Sequence, residues 1–261
     1  MKRPIFLLCF CMTLLFAKTA CAQVVPMRWS DPWASALAST FTMIESENWQ
    51  SGLSALQGIQ SPSADNVTIV DDPLDTSQPA VQVYVRSDQN YSQVANGAVR
   101  AEMVFGNHLK FVQGKDYLLR WRTYIPPDYV FDPKLVMVIT QIHQTALSGS
   151  PPMELDLNGG NYVVSMRGGP SVTTSKSICC AQQDQGRWVD WALRYMPDAG
   201  GVHASTQLWK DGVAVFGTQG FPNAYPGDNS AYLKMGIYLL SPFQTRNQIT
   251  LLFGPVTVGQ Q

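Results

Sequence analysis

Most of the chain alternates apolar and polar residues in short runs that are separated by Gly, Pro, Asn and Asp. A period of two predicts extended strands that keep one face in a core and turn the other away from it. The predicted strands are residues 67–70, 80–86, 99–105, 117–124, 135–144, 153–157, 162–166, 188–195, 204–210, 232–240 and 248–258. Many short strands with turn residues between them indicate an all-β sandwich of two antiparallel sheets.

Three of these strands combine an apolar face with a polar one. In residues 232–240 the apolar face carries Leu233, Met235, Ile237 and Leu239. The residues that alternate with them are Tyr232, Lys234, Gly236 and Tyr238. In the same way, Arg100 shares a face with Glu102, and Gln141 shares one with His143. Placed side by side in one sheet, these faces would form a groove suited to an anionic substrate.

The remaining segments predict loops, a hairpin and little helix. Trp209-Lys-Asp-Gly-Val213 predicts a tight hairpin with Asp-Gly at its turn. Residues 145–152 and 216–231 are rich in Gly, Pro and Ser and are predicted as loops at the rim of the groove. Residues 31–49 are predicted either as one amphipathic helix or as an irregular leader. No repeat or low-complexity linker divides the chain, so we expect residues 23–261 to form a single domain.

The start of the chain has the pattern of an export signal. Two basic residues precede the apolar run 5–16, and the small-x-small sequence Ala20-Cys-Ala22 follows. This pattern predicts a signal peptide over residues 1–22 and a protein that is secreted or periplasmic. The run is about half of the roughly 20 residues that a membrane-spanning helix needs, so no membrane span is predicted. A lipoprotein signal is the alternative, but Lys18 stands where such signals usually carry an apolar residue.

The charge balance excludes some classes of partner. The signal peptide holds three of the 18 Lys and Arg residues and none of the 19 acidic ones, so its removal leaves 15 basic residues and a net charge of about −4. This balance argues against nucleic acid as a partner. An acidic polymer remains possible as a substrate if the basic residues are concentrated at the site. We expect a monomer.

The cysteine content argues against a disulfide framework, because only Cys179 and Cys180 remain after the signal peptide. We predict that these neighbours are free or vicinally bonded in a loop, with a redox role as the alternative. His108 and His203 have no partner at metal-ligand spacing, so no metal is predicted. Entry of His108 into the groove from a loop is a further possibility.

The three polar faces resemble, in chain order, three strands of the jelly-roll polysaccharide lyases, a group with alginate, glucuronan and heparin lyases. Arg100-Ala-Glu102 resembles their Arg-Ser/Thr-Glu strand, and Gln141-Ile-His143 resembles their Gln-Ile-His strand. Tyr232-Leu-Lys-Met-Gly-Ile-Tyr238 resembles their Tyr-Phe-Lys-x-Gly-x-Tyr strand. The resemblance implies a concanavalin-like β-jelly roll with a concave groove. It also implies a lyase that cleaves an acidic, uronic-acid-containing polysaccharide by β-elimination without a cofactor.

β-Elimination removes the proton on C5 of a uronic acid and expels the oxygen on C4. The neighbouring carboxylate must be neutralised so that the C5 proton becomes acidic enough to transfer. By resemblance, Arg100, Gln141 and His143 would hold that carboxylate, and Tyr238 would transfer protons with His143 as the other candidate base. A free tyrosine has a pKa of about 10, so Tyr238 would need a nearby cation such as Lys234 to act as a base.

Four residues are candidate substrate contacts: Glu102, Lys234, Tyr232 and Arg122. The carboxylate of Glu102 would orient Arg100 or accept a bond from a sugar hydroxyl. Leu240 departs from the resemblance, because alginate lyases usually carry Gln two residues beyond the final tyrosine. This departure puts alginate in question as the substrate more than it does the reaction, so glucuronan and other uronate polymers are comparable candidates.

Two other functions compete with this interpretation. Glu154-Leu-Asp156 resembles part of the Glu-x-Asp-x-(x)-Glu strand of laminarinase-type glycoside hydrolases, but Asn158 and Gly159 follow where the second glutamate is required. A non-catalytic carbohydrate-binding protein of the same fold is the other alternative. Three tryptophans would stack on sugars in that case, although core packing is the more ordinary explanation for them. They are Trp188, Trp191 and Trp209.

Overall fold

The computed structural model describes residues 40–145, 149–169, 173–243 and 247–261. The predicted signal peptide and residues 31–39 of the predicted helix or leader lie outside these ranges. Fifteen strands and three 3₁₀ turns occur in the described residues. The turns are Ala64–Asn66, Ala95–Gly97 and Ala181–Asp184.

The strands are numbered β1 to β15 in chain order. The first eight are β1 (Thr42–Glu47), β2 (Gly58–Gln60), β3 (Val67–Asp72), β4 (Asp75–Arg86), β5 (Arg100–Phe105), β6 (Tyr117–Tyr124), β7 (Val136–His143) and β8 (Met153–Asn158). The others are β9 (Asn161–Arg167), β10 (Thr173–Ile178), β11 (Trp188–Met196), β12 (Ser205–Lys210), β13 (Val213–Gln219), β14 (Tyr232–Leu239) and β15 (Gln248–Gln260).

The strands form two antiparallel sheets. One sheet has seven strands in the order β10-β9-β8-β7-β14-β5-β2. The other has eight, in the order β13-β12-β11-β6-β15-β4-β3, with β1 paired to β15. The predicted all-β sandwich of two antiparallel sheets is therefore confirmed.

The core lies between the sheets and is built from the apolar face of each. Ile142 and Ile237 of the seven-stranded sheet and Trp191 and Val258 of the eight-stranded sheet are fully buried in it. Burial of one such side chain stabilises the fold by about 1.5–3 kcal/mol. Period-two alternation then directs the other face of each strand away from the core, and one of these outer faces carries the candidate site.

The structure differs from the sequence-based prediction at several strands. Residues 42–47 form β1 rather than part of a helix or an irregular leader, because they pair with residues 256–260 of β15. The strands β2 and β10 were not predicted, since one has only three residues and the other is mostly polar and exposed. β13 covers the first four residues of the predicted loop 216–231 and completes the predicted hairpin with β12.

The three tryptophans considered for sugar stacking all lie in the eight-stranded sheet. Trp191 is in the core between the sheets. Trp188 and Trp209 are buried in small clusters separate from that core. None of the three lines the groove of the seven-stranded sheet. Cys179 and Cys180 are joined by a vicinal disulfide, which is one of the predicted states.

Candidate active site

The candidate site lies on the outer face of the seven-stranded sheet, around β14. This strand pairs with β5 on one side and with β7 on the other, so the three polar faces lie side by side as predicted. Tyr238 is opposite Arg100, while Tyr232 is opposite His143. Lys234 is opposite Gln141. Residues from three distant parts of the chain therefore meet in one groove.

Gly236 allows β14 to approach β5 closely at the centre of the site. Its φ of 150° lies outside the range that side-chain-bearing residues favour. A Cβ at this position would overlap the carbonyl oxygen of Ala101 and lie 2.8 Å from the Cα of Glu102. The register between β14 and β7 also shifts between Met235 and Tyr238. Glycine at this position therefore permits the irregular pairing that spaces Lys234 and Tyr238 along the groove.

Glu102 is the centre of a buried hydrogen-bond network beneath the groove. Its Oε2 accepts from Nη1 of Arg100 at 3.0 Å and from Nζ of Lys234 at 3.3 Å. Its Oε1 accepts from Nε2 of Gln141. The Glu102 side chain is only 2% exposed. It is therefore hydrogen-bonded to Arg100, Lys234 and Gln141 and is covered by them.

This network leaves an excess of one positive charge under the groove, because the two cations Arg100 and Lys234 share one carboxylate. Burial is the main cause that lowers the pKa of Lys234, and Arg100 lowers it further, while Glu102 opposes both effects. Lys234 Nζ also donates to Oε1 of Gln60 at 2.7 Å. Lys234 is therefore held beneath the groove by Glu102 and Gln60.

Tyr238 is half-buried and packs against the guanidinium of Arg100. The Arg100 Cζ lies 3.8 Å from the centre of the Tyr238 ring. Such a contact is a cation–π interaction. Arg100 also donates from Nη2 to Asn96 Oδ1 at 2.8 Å, while its buried Nε has no hydrogen-bond partner among the described residues. The ring of Tyr238 and a cation are therefore in direct contact.

The hydrogen bond at Nδ1 determines the tautomer of His143. Nδ1 lies 2.6 Å from the carbonyl oxygen of Gln144. Because a carbonyl can only accept, Nδ1 must carry the proton. The lone pair of the neutral ring is then on Nε2. Burial is the main cause that lowers the pKa of His143, which favours this neutral form near pH 7.

The groove above these residues has a volume of about 370 Å³. Gly149, Ser150 and Pro151 form part of its wall. The OH of Tyr225 donates to the carbonyl oxygen of Ser150 at 2.8 Å, so the two predicted rim loops contact each other. Leu240, which is 49% exposed, lines the groove as well.

Arg122 is a correction to the predicted set of substrate contacts. It lies in β6 of the eight-stranded sheet, directly opposite Asp190 in β11. Its Nε is 2.9 Å from the carboxylate of Asp190 on the far side of the sandwich from the groove. His108 is also outside the groove, with Nε2 3.1 Å from the carboxylate of Glu45.

Two groove residues were missed from the sequence. Gln60 accepts hydrogen bonds from Lys234 and Arg100, but its strand β2 is too short to show a period. Asn96 accepts from Arg100 and has φ 53° in the turn Ala95–Gly97. The Asn-Gly dipeptide at residues 96–97 was the available signal, because Asn tolerates this backbone region.

Glu154 and Asp156 lie on the groove side of β8. Glu154 accepts from Nη1 of Arg167, and both carboxylates are buried. Burial, followed by the charge of Glu154, raises the pKa of Asp156 to about 7. The hydrolase alternative still lacks its second glutamate, because Asn158 and Gly159 follow Asp156 and Leu157.

Neither a metal cluster nor a membrane span occurs in the described part of the chain. These residues contain no group of three or more His, Cys, Asp or Glu side chains placed to hold a metal ion. None of their helical segments has the length and hydrophobicity needed to cross a membrane.

A family model matches most of the chain, and several solved structures share its fold. A family model described as polysaccharide lyase matches residues 42–253. The endo-β-1,4-glucuronan lyase of the fungus Trichoderma reesei has a similar structure, with a TM-score of 0.67, 13% identity and coverage of 84% of this chain and 95% of that one. A Chlorella virus alginate lyase aligns with a TM-score of 0.60 and 7% identity, covering 84% and 100% of the two chains.

An alginate lyase from Aplysia kurodai is a third structural neighbour, with a TM-score of 0.54, 10% identity and coverage of 83% of this chain and 98% of that one. At these identities the likeness shows a shared jelly-roll fold. No curated protein sequence matches the chain.

Proposed function

The chain belongs to the polysaccharide lyase family, and we propose that it cleaves a uronic-acid-containing polysaccharide of the alginate or glucuronan type by β-elimination. One observation carries the proposal. A single groove combines the cation Arg100, a neutral imidazole at His143 and the phenol of Tyr238. A carboxylate-stabilising charge and a pair of proton-transfer groups are what the reaction needs.

The substrate carboxylate would bind above the excess positive charge of the Arg100 and Lys234 pair. Gln141 has a second N–H on Nε2 besides the one that it donates to Glu102. This N–H can donate to the carboxylate. The buried groups are already oriented by Glu102, so little reorganisation is needed as charge develops at C5.

We propose His143 as the base and Tyr238 as the acid. Nε2 of His143 takes the proton from C5, the C4–O bond breaks, and a C4=C5 double bond forms. The departing oxygen takes the phenolic proton of Tyr238, and the guanidinium of Arg100 stabilises the resulting phenolate. Exchange with solvent then removes the proton from the imidazolium and returns one to the phenolate.

An absorbance assay tests this function. The purified protein is incubated with alginate, polyguluronate, polymannuronate, glucuronan, hyaluronan or heparin, and the ultraviolet absorbance of the unsaturated product is followed. We expect a rise with at least one uronate polymer. New reducing ends without absorbance would indicate a hydrolase, and binding without either signal would indicate a binding protein.

Two variants test the assignment of roles. Tyr238→Phe and His143→Ala should each lower kcat by about 10²–10⁴-fold, because each removes a proton-transfer group. If both variants keep full activity, the assignment is wrong. If only Tyr238→Phe loses activity, Tyr238 serves as both acid and base.

The predictions for the start of the chain belong to the same proposal. We propose that residues 1–22 direct export and are then removed, which leaves a secreted or periplasmic monomer. Amino-terminal sequencing of the exported protein, with its mass in solution by light scattering, tests both points. A mature protein that still begins at Met1, or a stable dimer, would contradict them.

A further inference from the structure

The peptide group between Gln144 and Thr145 connects His143 to a buried carboxylate. Its carbonyl oxygen accepts from Nδ1 of His143 at 2.6 Å. Its N–H donates to Oδ2 of Asp228 at 3.0 Å. The oxygen and hydrogen of a trans peptide point in opposite directions, so the three groups form one continuous chain of hydrogen bonds.

Asp228 is built into this position by further contacts. Its Oδ1 accepts from the hydroxyl of Thr145 at 2.8 Å and from the backbone N–H of Ser230 at 3.0 Å. The residue is 4% exposed. The ion pairs found among the described residues do not include Asp228. Its negative charge is therefore held by N–H and O–H donors rather than cancelled by a cation.

We propose that Asp228 is a positioning residue for His143, acting through the Gln144–Thr145 peptide group. It holds the carbonyl of Gln144 where it fixes the Nδ1–H tautomer, which leaves Nε2 as the base in the groove. Hydrogen bonds in such a chain polarise one another, so the carboxylate also makes the carbonyl a stronger acceptor. The catalytic part of this inference rests on the proposed function, whereas the tautomer part does not.

Other charges act on His143 as well. Besides His143, the ionisable groups that line the groove or contact its lining include Arg100, Glu102, Lys110, Glu154, Arg167, Tyr232, Lys234 and Tyr238. The cations Lys234 and Arg100 lower the pKa of His143, and Glu102 raises it. Asp228 differs from these groups because it is connected to the ring through Nδ1.

An NMR titration of Asp228→Asn tests the proposal without any substrate. The chain has three histidines, so the His143 ring signals can be assigned by their loss in His143→Ala. Asparagine keeps the size and an acceptor for the Thr145 N–H but removes the charge. Loss of a charge that stabilises the imidazolium should lower the pKa of His143 by about one unit. The nitrogen shifts should also show a smaller share of the Nδ1–H tautomer.

Thr145→Val is the matched control. It removes the hydroxyl contact to Asp228 but keeps the peptide N–H and the carboxylate, so the His143 titration and tautomer should stay as in the wild type. Equal shifts in both variants would show that general anchoring of the loop is responsible, and would overturn the proposal. An unchanged His143 in Asp228→Asn would overturn it too.

A wild-type measurement covers the case in which Asp228→Asn does not fold. The amide signal of Thr145 should shift with the pKa of His143, and this inflection should be absent in His143→Ala. If the Thr145 amide signal does not change as His143 titrates, the proposed connection from His143 to Asp228 is wrong.

Activity then separates this proposal from the proposed function. On a uronate substrate, Asp228→Asn should lower kcat about 3–10-fold, with KM within about twofold, because a weaker base transfers the proton more slowly. The acidic limb of the pH profile should move to lower pH by about one unit, because the base is protonated at lower pH. No cleavage of any polymer, together with the NMR shift, would reject the lyase function and keep the positioning role of Asp228. Cleavage with neither the NMR shift nor the shift of the pH profile would keep the lyase function and reject the positioning role.

Discussion

The two faces of the sandwich each carry an arginine–carboxylate pair of nearly equal length. Arg100 and Glu102 are 3.0 Å apart on the seven-stranded sheet, and their side chains are 5% and 2% exposed. Arg122 and Asp190 are 2.9 Å apart on the eight-stranded sheet, with side chains 39% and 45% exposed. By distance alone, the two pairs would contribute equally to stability. Burial distinguishes them, because an exposed pair is screened by water and contributes only about 0–1 kcal/mol to the free energy of unfolding.

The two ion pairs also differ in the contacts that surround them. Glu102 is also bonded to Lys234 and Gln141, so loss of its charge leaves two buried cations without a counter-charge. Arg122 lies over the ring of Trp188 with its Cζ 5.0 Å from the ring centre, and Asp190 is accessible to water. The candidate site thus differs from the surface ion pair in its closed hydrogen-bond network rather than in the pair itself.

The largest expected effect is that of Glu102→Gln. Removing one member of a buried ion network should lower the free energy of unfolding by about 3–5 kcal/mol. Asp190→Asn is the matched change on the other sheet and should stay within about 0.5 kcal/mol of the wild type. Urea denaturation of both variants measures the difference. Equal losses would show that burial does not separate the two pairs.

Gly236→Ala should come next, with a loss of about 3 kcal/mol, because its Cβ would overlap the backbone of β5. Gly58→Ala in β2 of the same sheet is the control, since a Cβ there meets no atom within 4 Å. Thermal denaturation compares the two. A tolerated alanine at position 236 would mean that β14 can move away from β5, and the site geometry would then depend less on glycine.

Asp156 provides a pH test of burial on the groove sheet. Its pKa is about 7 in the folded protein and near 3.8 when unperturbed, so the folded state holds the extra proton between these values. Its contribution to stability is present below about pH 3.8 and is lost as the pH rises to 7. The free energy of unfolding of Asp156→Asn relative to the wild type should therefore be higher at about pH 8 than at about pH 4, by on the order of 2 kcal/mol.

Urea denaturation at both pH values measures this gain. Asp190→Asn serves again as the exposed control, and its stability relative to the wild type should stay the same at the two pH values. If the stability difference between Asp156→Asn and the wild type is the same at both pH values, Asp156 is accessible to water in solution.

The smallest effect is expected for Arg122→Gln. Because Arg122 lies on the far face, kcat and KM should stay within about twofold of the wild type, and stability should change by less than about 1 kcal/mol. The steady-state assay on the cleaved uronate polymer measures this. A large rise in KM would indicate that Arg122 contacts the substrate and would contradict the placement of the groove.

Much of the fold and part of the site could be predicted from local patterns. The alternation in residues 232–240 is strict, and both its apolar and polar faces lie where period two places them. Edge strands were harder to predict. In β10 most residues are polar and exposed, so the strand has no apolar face that a period of two could reveal. Gln60 was missed for a related reason, since three residues of β2 are too few to define a period.

The sequence by itself determined which side chains share a face of a strand, because that depends only on the two-residue repeat of extended backbone. It therefore groups Arg100 with Glu102, and Gln141 with His143, whatever the order of the strands in the sheet. Only the tertiary structure decided which strands are neighbours, and this separated Arg100 from Arg122. Only the structure also brought Asp228 to the backbone of Thr145, 83 residues away along the chain. Strand order and loop contacts come from long-range pairing and burial, which no local pattern encodes.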